Sequence, residues 1–378
     1  MKTNQTFSKK IKHNIFWIAL LLLSVLLNLF SWIIPGFAEN YVLYVFPLWT
    51  NLLGHFSSLF PFSIGEFMII AGIIWLIVFV IRIKSGRFRK MTACLLDIIL
   101  LIMTLNCFIN YHAEPIVVSS DSKTREYTIA ELTEYRNHLV ETCNNLSGEV
   151  PRDTDGNIIF GDGLVDNKDA GGSYINSDVN KYISAKARES MAGLGSRFEK
   201  LSGYYVNPKP MLFSNFVSQQ YMQGYYFPFS MEANYNDVMY VMNKPFTICH
   251  ELAHTKGYIM EDEANFLGYL GCISSDDIAI QYSGYLGVLN YVNNAFYDNV
   301  TKDEYKRNLK ILDQVKEDNV FLTDESWEKV ENTAVLETET VKKAANTFVD
   351  TTLKVNGIDD GIASYDRVVK LLLDEYYK

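Results

Sequence analysis

Apolar positions are spread very unevenly along this chain. They run almost unbroken through IFWIALLLLSVLLNLFSWII (15–34), EFMIIAGIIWLIVFVI (66–81) and TACLLDIILLIMTLNCFI (92–109). A helix rises about 1.5 Å per residue, so about 20 such residues cross the ~30 Å hydrocarbon core of a bilayer. The pattern predicts a multi-pass membrane anchor over 1–110, with three transmembrane helices at about 15–34, 65–83 and 91–110. A cleaved signal peptide is the alternative for the first run, which is long for that role and whose removal would leave the orientation unchanged. Glu66 stands at the edge of the second run and Asp97 lies inside the third. An acid in a span is costly and usually faces a neighbouring helix, so Asp97 is read as a packing or topology feature.

Beyond residue 110 the pattern becomes that of amphipathic helices. TIAELTEYRNHLVETCNNL opens with Thr128 and Glu131 at capping-box spacing, and DVNKYISAKARESMAGLGSRFEKL predicts a second helix. The polar stretch between them reads as a surface loop. Its DTDGN has a calcium-loop look, but Gly156 comes two positions too early, which leaves a turn. MLFSNF, YMQGYYFPFS and DVMYVM are aromatic and β-prone and predict two or three short strands. Further helices are expected through IAIQYSGYLGVLNYVNNAF, TKDEYKRNLKILDQV, WEKVENTAVLETETVKKAANTFVDTTLKV and after Ser364. No internal repeat is visible. Residues 111–378 thus predict a mainly α, α+β domain with a small β-sheet.

Charge settles orientation and excludes a class of partner. Lys2, Lys9, Lys10 and Lys12 precede the first span, RIKSGRFRK (82–90) separates the second and third, and 35–65 carries no Lys or Arg. By the positive-inside rule the amino terminus and 82–90 are cytoplasmic, which places 111–378 outside the cytoplasmic membrane. Of the 34 basic residues 25 lie beyond residue 110, against 41 of the 44 acids, a balance of −16. That field argues against nucleic acid and against electrostatic docking on anionic lipid, so membrane lipid is met through the transmembrane helices. The five cysteines form no C-x-x-C; a Cys249–Cys272 bridge is compatible with the sequence but not required by it.

The candidate chemistry lies in PFTICHELAHTKGYIMEDEAN (245–265). His250 and His254, four apart, share one helix face, with Glu251 beside them. Two imidazoles can then bind one zinc ion while Glu251 acts as general base on its water. Pro245 suits the first turn of this helix, and Gly257 suits its stop. A third ligand is expected where the chain turns back. Glu261, Asn265 and Gly268 share a face of the next helix and offer a ligand, an amide partner and clearance, so Glu261 is preferred. Glu263 is the alternative, ahead of Asp262. Tyr365 and Arg367, in the terminal SYDR, are candidate oxyanion donors, because no histidine other than the motif pair follows His138.

YYFPFSMEANYN, the stretch PFTICHELAHTKGYIMEDEANFLGYLGC and the closing GIASYDRVVKLLL resemble a bacterial membrane family, domain of unknown function 3810. The resemblance covers most of the chain and implies amino-terminal spans followed by a zincin-like domain, with no substrate specified. The E-x-x-A-N order of Glu261 to Asn265 is similar to the E-x-x-A-D helix of gluzincin peptidases, with Asn in place of Asp. The spacing from His254 is shorter than theirs and closer to the metzincin layout, whose third histidine position here holds Met260. The expectation is a membrane-anchored zinc metallopeptidase acting on peptides or proteins of the cell envelope. The competing expectation is a non-catalytic envelope protein or sensor with structural zinc, its fourth ligand drawn from Cys249 or Glu263.

Overall fold

The protein is described from a computed structural model over residues 2–118, 125–166, 177–355 and 367–378. It is mainly helical. Three helical stretches are long and apolar enough to cross a membrane: Ile15–Ile33, Ile64–Arg82 and Gly86–His112. Their bounds match the three runs read from the sequence to within a few residues. The second and third form a hairpin through Ile83–Ser85, and the third ends in a π turn, Thr104–Phe108, and a 3-10 turn, Ile109–His112.

The segment between the first two spans is more ordered than a simple connection. It folds into helix Phe37–Asn40, a π turn Tyr41–Val45 and helix Phe46–Ser57. One side of it forms a small second core in which Ala38, Tyr41, Val42 and Phe46 pack with Ile109 of the third span and Met231. The Tyr41 hydroxyl donates to the Leu105 carbonyl at 2.8 Å, and Thr50 Oγ1 to the Thr255 carbonyl at 2.9 Å. Span, connection and motif region therefore touch directly.

The larger core gathers the helices Ile129–Glu149, Asp178–Gly193, Lys244–His254, Glu261–Ile273, Ile278–Asn299 and Arg367–Tyr376. The first starts in the expected capping box between Thr128 and Glu131. Two helices expected as single are broken. TKDEYKRNLKILDQV splits into Lys302–Arg307 and Asp313–Asp318. Side chains of Ile129–Glu149 capture the backbone between them: Arg136 donates to the Leu309 carbonyl, and Asn144 binds both the Lys310 carbonyl and the Leu312 amide. The last long run likewise divides into Asp324–Thr333 and Thr338–Val355.

The sheets are small. β1 (Ile159–Phe160) and β2 (Leu164–Val165) form an antiparallel pair. β3 (Lys209–Pro210), β4 (Gly224–Phe227) and β5 (Glu232–Tyr235) form a second sheet in the order β3-β5-β4, with β5 parallel to β3 and antiparallel to β4. Of the three segments expected as strands, only YMQGYYFPFS holds one. MLFSNF turns into helix Ser214–Gln219, because the Glu66 carboxylate takes the amides of Leu212 and Phe213, both at 2.9 Å, that a ladder would use. DVMYVM stays irregular, with the Asp237 amide on Ser214 Oγ and the Tyr240 amide on the Phe321 carbonyl. DTDGN is the expected turn, held by Asp153 Oδ1 on the amides of Asp155 and Asn157.

Sheet and spans are joined by two buried carboxylates facing in opposite directions. Glu66, in the first turn of the second span, holds Leu212 and Phe213. Glu232, fully buried on β5, accepts from the amides of Ile64 at 2.9 Å and Gly65 at 2.8 Å, and pairs with Lys209. A carboxylate there meets the unpaired amides and the positive end of the helix dipole. Removing one partner from a buried ion pair costs about 3–5 kcal/mol. Glu232→Ala should therefore lower the thermal midpoint of the detergent-solubilised full chain markedly, while Lys181→Ala, on an exposed helix face, should leave it nearly unchanged. Equal midpoints for the two variants would remove Glu232 from this role.

Candidate metal centre

The helix that carries the motif, Lys244–His254, is fixed at both ends. At its start the fully buried Lys244 ammonium contacts Asp237 at 3.0 Å, Asn180 at 2.9 Å and Asp166 at 3.3 Å. At its end Gly257, with φ of 90°, makes a left-handed cap: its amide donates to the His254 carbonyl, and the Tyr258 amide to that of Ala253. The chain then reverses into helix Glu261–Ile273, which packs along the motif helix. Gly268 permits that approach, since a Cβ there would lie 3.3 Å from the His250 amide nitrogen and the Phe246 carbonyl oxygen.

The reversal brings three donors together. His250 Nε2 and His254 Nε2 are 3.0 Å apart, and the Glu261 carboxylate lies 3.2 Å from the first and 3.8 Å from the second. The Nδ1 atoms are already engaged. His250 Nδ1 is 2.9 Å from Asn265 Oδ1, and His254 Nδ1 is 2.7 Å from the Tyr258 carbonyl. Both partners only accept, so each imidazole must donate from Nδ1, and in the neutral form each Nε2 presents a lone pair. Two lone pairs and a carboxylate converge on one point, an arrangement that repels itself until a proton or a cation lies between them. Two imidazole nitrogens plus one carboxylate oxygen is a donor set suited to zinc, with the outer partners that orient such ligands already present.

The electrostatics agree with the geometry. Burial, with His250 as neighbour, lowers the His254 pKa to about 4. Burial also opposes charge on His250, but the hydrogen bond and charge of Glu261 outweigh it and hold that imidazole above its ordinary value. Burial pushes the Glu251 carboxyl up to about 8, against the pull of His250 and with the help of Glu261. Glu251 Oε2 is buried and has no hydrogen-bond partner among the described residues. Its other oxygen lies against β4, where a Cβ on Gly224 would come within 2.6 Å of Oε1.

The remaining candidates are placed elsewhere or lie outside the described residues. Glu263 is buried, accepts from the Ile116 amide at 2.6 Å and does not reach the histidines. Asp262 meets Arg367, whose Nε is 3.3 Å from Asp262 Oδ2, so Arg367 is joined to an acid rather than to the histidine pair. Tyr365 lies outside the described residues. Cys249 faces Cys272, sulfur to sulfur at 3.9 Å, with both as free thiols.

The cluster opens into a cavity of about 570 Å³ whose walls the motif alone does not reveal. Gly224, Tyr225 and Tyr226 of β4 line it on one side, and Asn290 and Tyr291 on another. Met103, Cys107 and Tyr111 form a further wall, a stripe at four-residue spacing on the outgoing end of the third span. The break of that run from Leu and Ile to a thiol and a phenol at this spacing is the sequence signal that marks it.

These features define a mainly helical protein with three membrane-type helices and a two-histidine, one-glutamate cluster of the kind that can hold a metal ion. Within that class, residues 41–373 match the model of the family described as protein of unknown function, DUF3810, and the chain belongs to that family. No curated protein and no solved structure matches the chain.

The Gly257 cap supports a direct test of how the cluster is built. A left-handed conformation costs a non-glycine residue roughly 1–2 kcal/mol. A Cβ at this position would also meet Val42 Cγ1 at 2.5 Å. Gly257→Ala should lower the thermal midpoint of the full chain and, through the displaced Tyr258 carbonyl, weaken the uptake of added zinc expected of a site at His250, His254 and Glu261. Unchanged stability and unchanged metal affinity together would exclude this cap as the element that orients His254.

Proposed function

We propose that the chain is a membrane-anchored zinc metallopeptidase with a zincin-like catalytic part on the outer face of the cytoplasmic membrane. The observation that carries this reading is the convergence of His250 Nε2, His254 Nε2 and the Glu261 carboxylate at the edge of a cavity. His250, His254 and Glu261 would hold the ion. Bound there, zinc supplies Lewis-acid polarisation of a carbonyl and lowers the pKa of water.

Glu251 carries the proton. Its carboxyl is buried against Gly224, and burial raises its pKa to about 8, which makes the carboxylate a stronger base than an exposed one. Oε2, the oxygen without a partner, accepts a proton from the attacking water and later delivers it to the leaving amine. β4 has β5 on one side only among the described strands, and Gly224, Tyr225 and Tyr226 border the cavity. An extended peptide of an envelope protein can pair with such an edge and lie across the cluster.

Sidedness is supported by where the basic residues fall. Arg82, Lys84, Arg87, Arg89 and Lys90 cluster at the hairpin end of the second and third spans. The helical part packs on the opposite end, through Gly65 against Phe227 and Asn106 against Pro228. With the positive end inward, the cavity faces outward.

The competing role, a structural zinc in a non-catalytic envelope protein, calls for a fourth protein ligand. Cys249 is turned to Cys272 and Glu263 to the Ile116 amide, so neither supplies it, and the cavity occupies that side.

The test uses purified full-length protein, with zinc content and cleavage of a peptide library as readouts. His250→Ala and His254→Ala should lose the metal. Glu261→Gln should weaken binding far more than Glu263→Gln. Glu251→Gln should keep about one zinc per chain while turnover falls by roughly a hundredfold or more, the usual scale for loss of a general base. Loss of zinc from Glu251→Gln, or cleavage at the parent rate, would overturn the assignment.

A further inference from the structure

The helix Phe46–Ser57 has its apolar stripe on the outside. Tyr44, Leu48, Leu52, Phe56 and Leu59 recur at four- and three-residue spacing and are 66%, 65%, 64%, 58% and 77% exposed. The opposite stripe is anchored inward. Phe46, Thr50 and Ser57 are buried, and Gly54 is packed so closely that a Cβ would meet Val206 at 2.6 Å. This is not a helix hung loosely on a surface, because Thr50 Oγ1 binds the Thr255 carbonyl and the Ser57 carbonyl takes the Lys209 ammonium. Its orientation is fixed, and the fixed orientation points a row of large apolar groups outward.

Its position says what covers that row. Helix Phe37–Asn40 begins four residues after the first span ends at Ile33, and the second span begins at Ile64, seven residues after Ser57. Both ends of the connection are thus tied to the same end of the membrane-type helices. No Asp, Glu, Lys or Arg occurs between Glu39 and Glu66. A second exposed apolar group adjoins it. Leu212, Phe213 and Phe216 are 44%, 49% and 52% exposed, and the Glu66 carboxylate holds the first two to the second span through their amides. The apolar surface is therefore continuous with the ends of the spans.

We infer that Phe46–Ser57 is an interfacial helix, lying in the plane of the membrane with Tyr44, Leu48, Leu52, Phe56 and Leu59 inserted among lipid acyl chains. Leu212, Phe213 and Phe216 form a second contact with the same lipid. Apolar insertion, rather than charge, is the attraction, in keeping with the acidic balance of the part beyond the spans. The helical part is then seated on the bilayer by a surface in addition to its three spans, and cannot swing freely on them.

The test is photolabelling of the full-length protein in vesicles of zwitterionic phosphatidylcholine that carry a diazirine on the acyl chain. Adducts are mapped by mass spectrometry. Lipid adducts are expected on 44–59 and 212–216 as well as on the spans. None are expected on Leu309 and Leu312, which are 42% and 51% exposed on the larger core beside Asn144. In Leu48→Glu/Leu52→Glu, which alters only exposed positions, adducts on 44–59 should fall about tenfold while those on the spans persist. A stripe without adducts beside labelled spans would overturn the inference. So would a stripe labelled to the same extent as Leu312, or crosslinked to a second copy of the chain.

Discussion

Two carboxylates exchanged across the foot of the second span hold this molecule together. Glu66 leaves the span to bind the amides of Leu212 and Phe213, and Glu232 leaves the sheet to bind the amides of Ile64 and Gly65. Helix starts and strand ends both leave donors unpaired, and a buried donor without a partner is expensive. Each side here supplies the acceptor that the other lacks. β5 is thereby set in place, β4 is set by β5, and Gly224 on β4 is set against Glu251. The position of the proposed proton carrier is referred back, through three contacts, to the start of a membrane helix.

The cluster itself follows from a turn. Gly257 ends the motif helix so that the Tyr258 carbonyl faces His254 Nδ1 and the next helix begins at Glu261. One turn further along, Asn265 faces His250 Nδ1. Both imidazoles are oriented and tautomerically fixed by groups that never reach the point where they converge. Burial strips these groups of hydration, so the like pairs, His250 with His254 and Glu251 with Glu261, oppose each other's charge while His250 and Glu251 attract.

Much of this was legible in the sequence. Long apolar runs have few structural alternatives, so the first two spans are legible to about a residue at each end and the third to about five. The face shared by Glu261, Asn265 and Gly268 follows from helical periodicity, and the structure assigns these residues contacts with the histidine pair or its helix. What failed was local pattern overruled by distant partners. MLFSNF is β-prone, yet a carboxylate about 146 residues earlier in the chain takes its amides. TKDEYKRNLKILDQV is helical by period, yet Arg136 and Asn144 straighten its middle. The sequence marks 35–65 only by its lack of Lys and Arg; the small core that this segment forms with Ile109 and Met231 depends on residues distant in the chain. Glu263 could not be separated from Glu261 by spacing alone, since the Ile116 amide that claims it comes from a segment without regular structure.

The stripe of Met103, Cys107 and Tyr111 means that the cavity has no single owner. One wall belongs to a helix that the sequence assigns to the membrane, and the facing wall belongs to the sheet and the motif helices. Severed after residue 110, the remainder would lose Met103 and Cys107 from that wall. It would also leave Glu232 and Lys209 as a buried ion pair suddenly opened to water, and Met231 without the small core that covers it. The part beyond residue 110 is therefore not a self-sufficient unit on a removable stalk. The least fragment that keeps every wall of the cavity includes the end of the third span, and excision at residue 110 would open the pocket rather than release it.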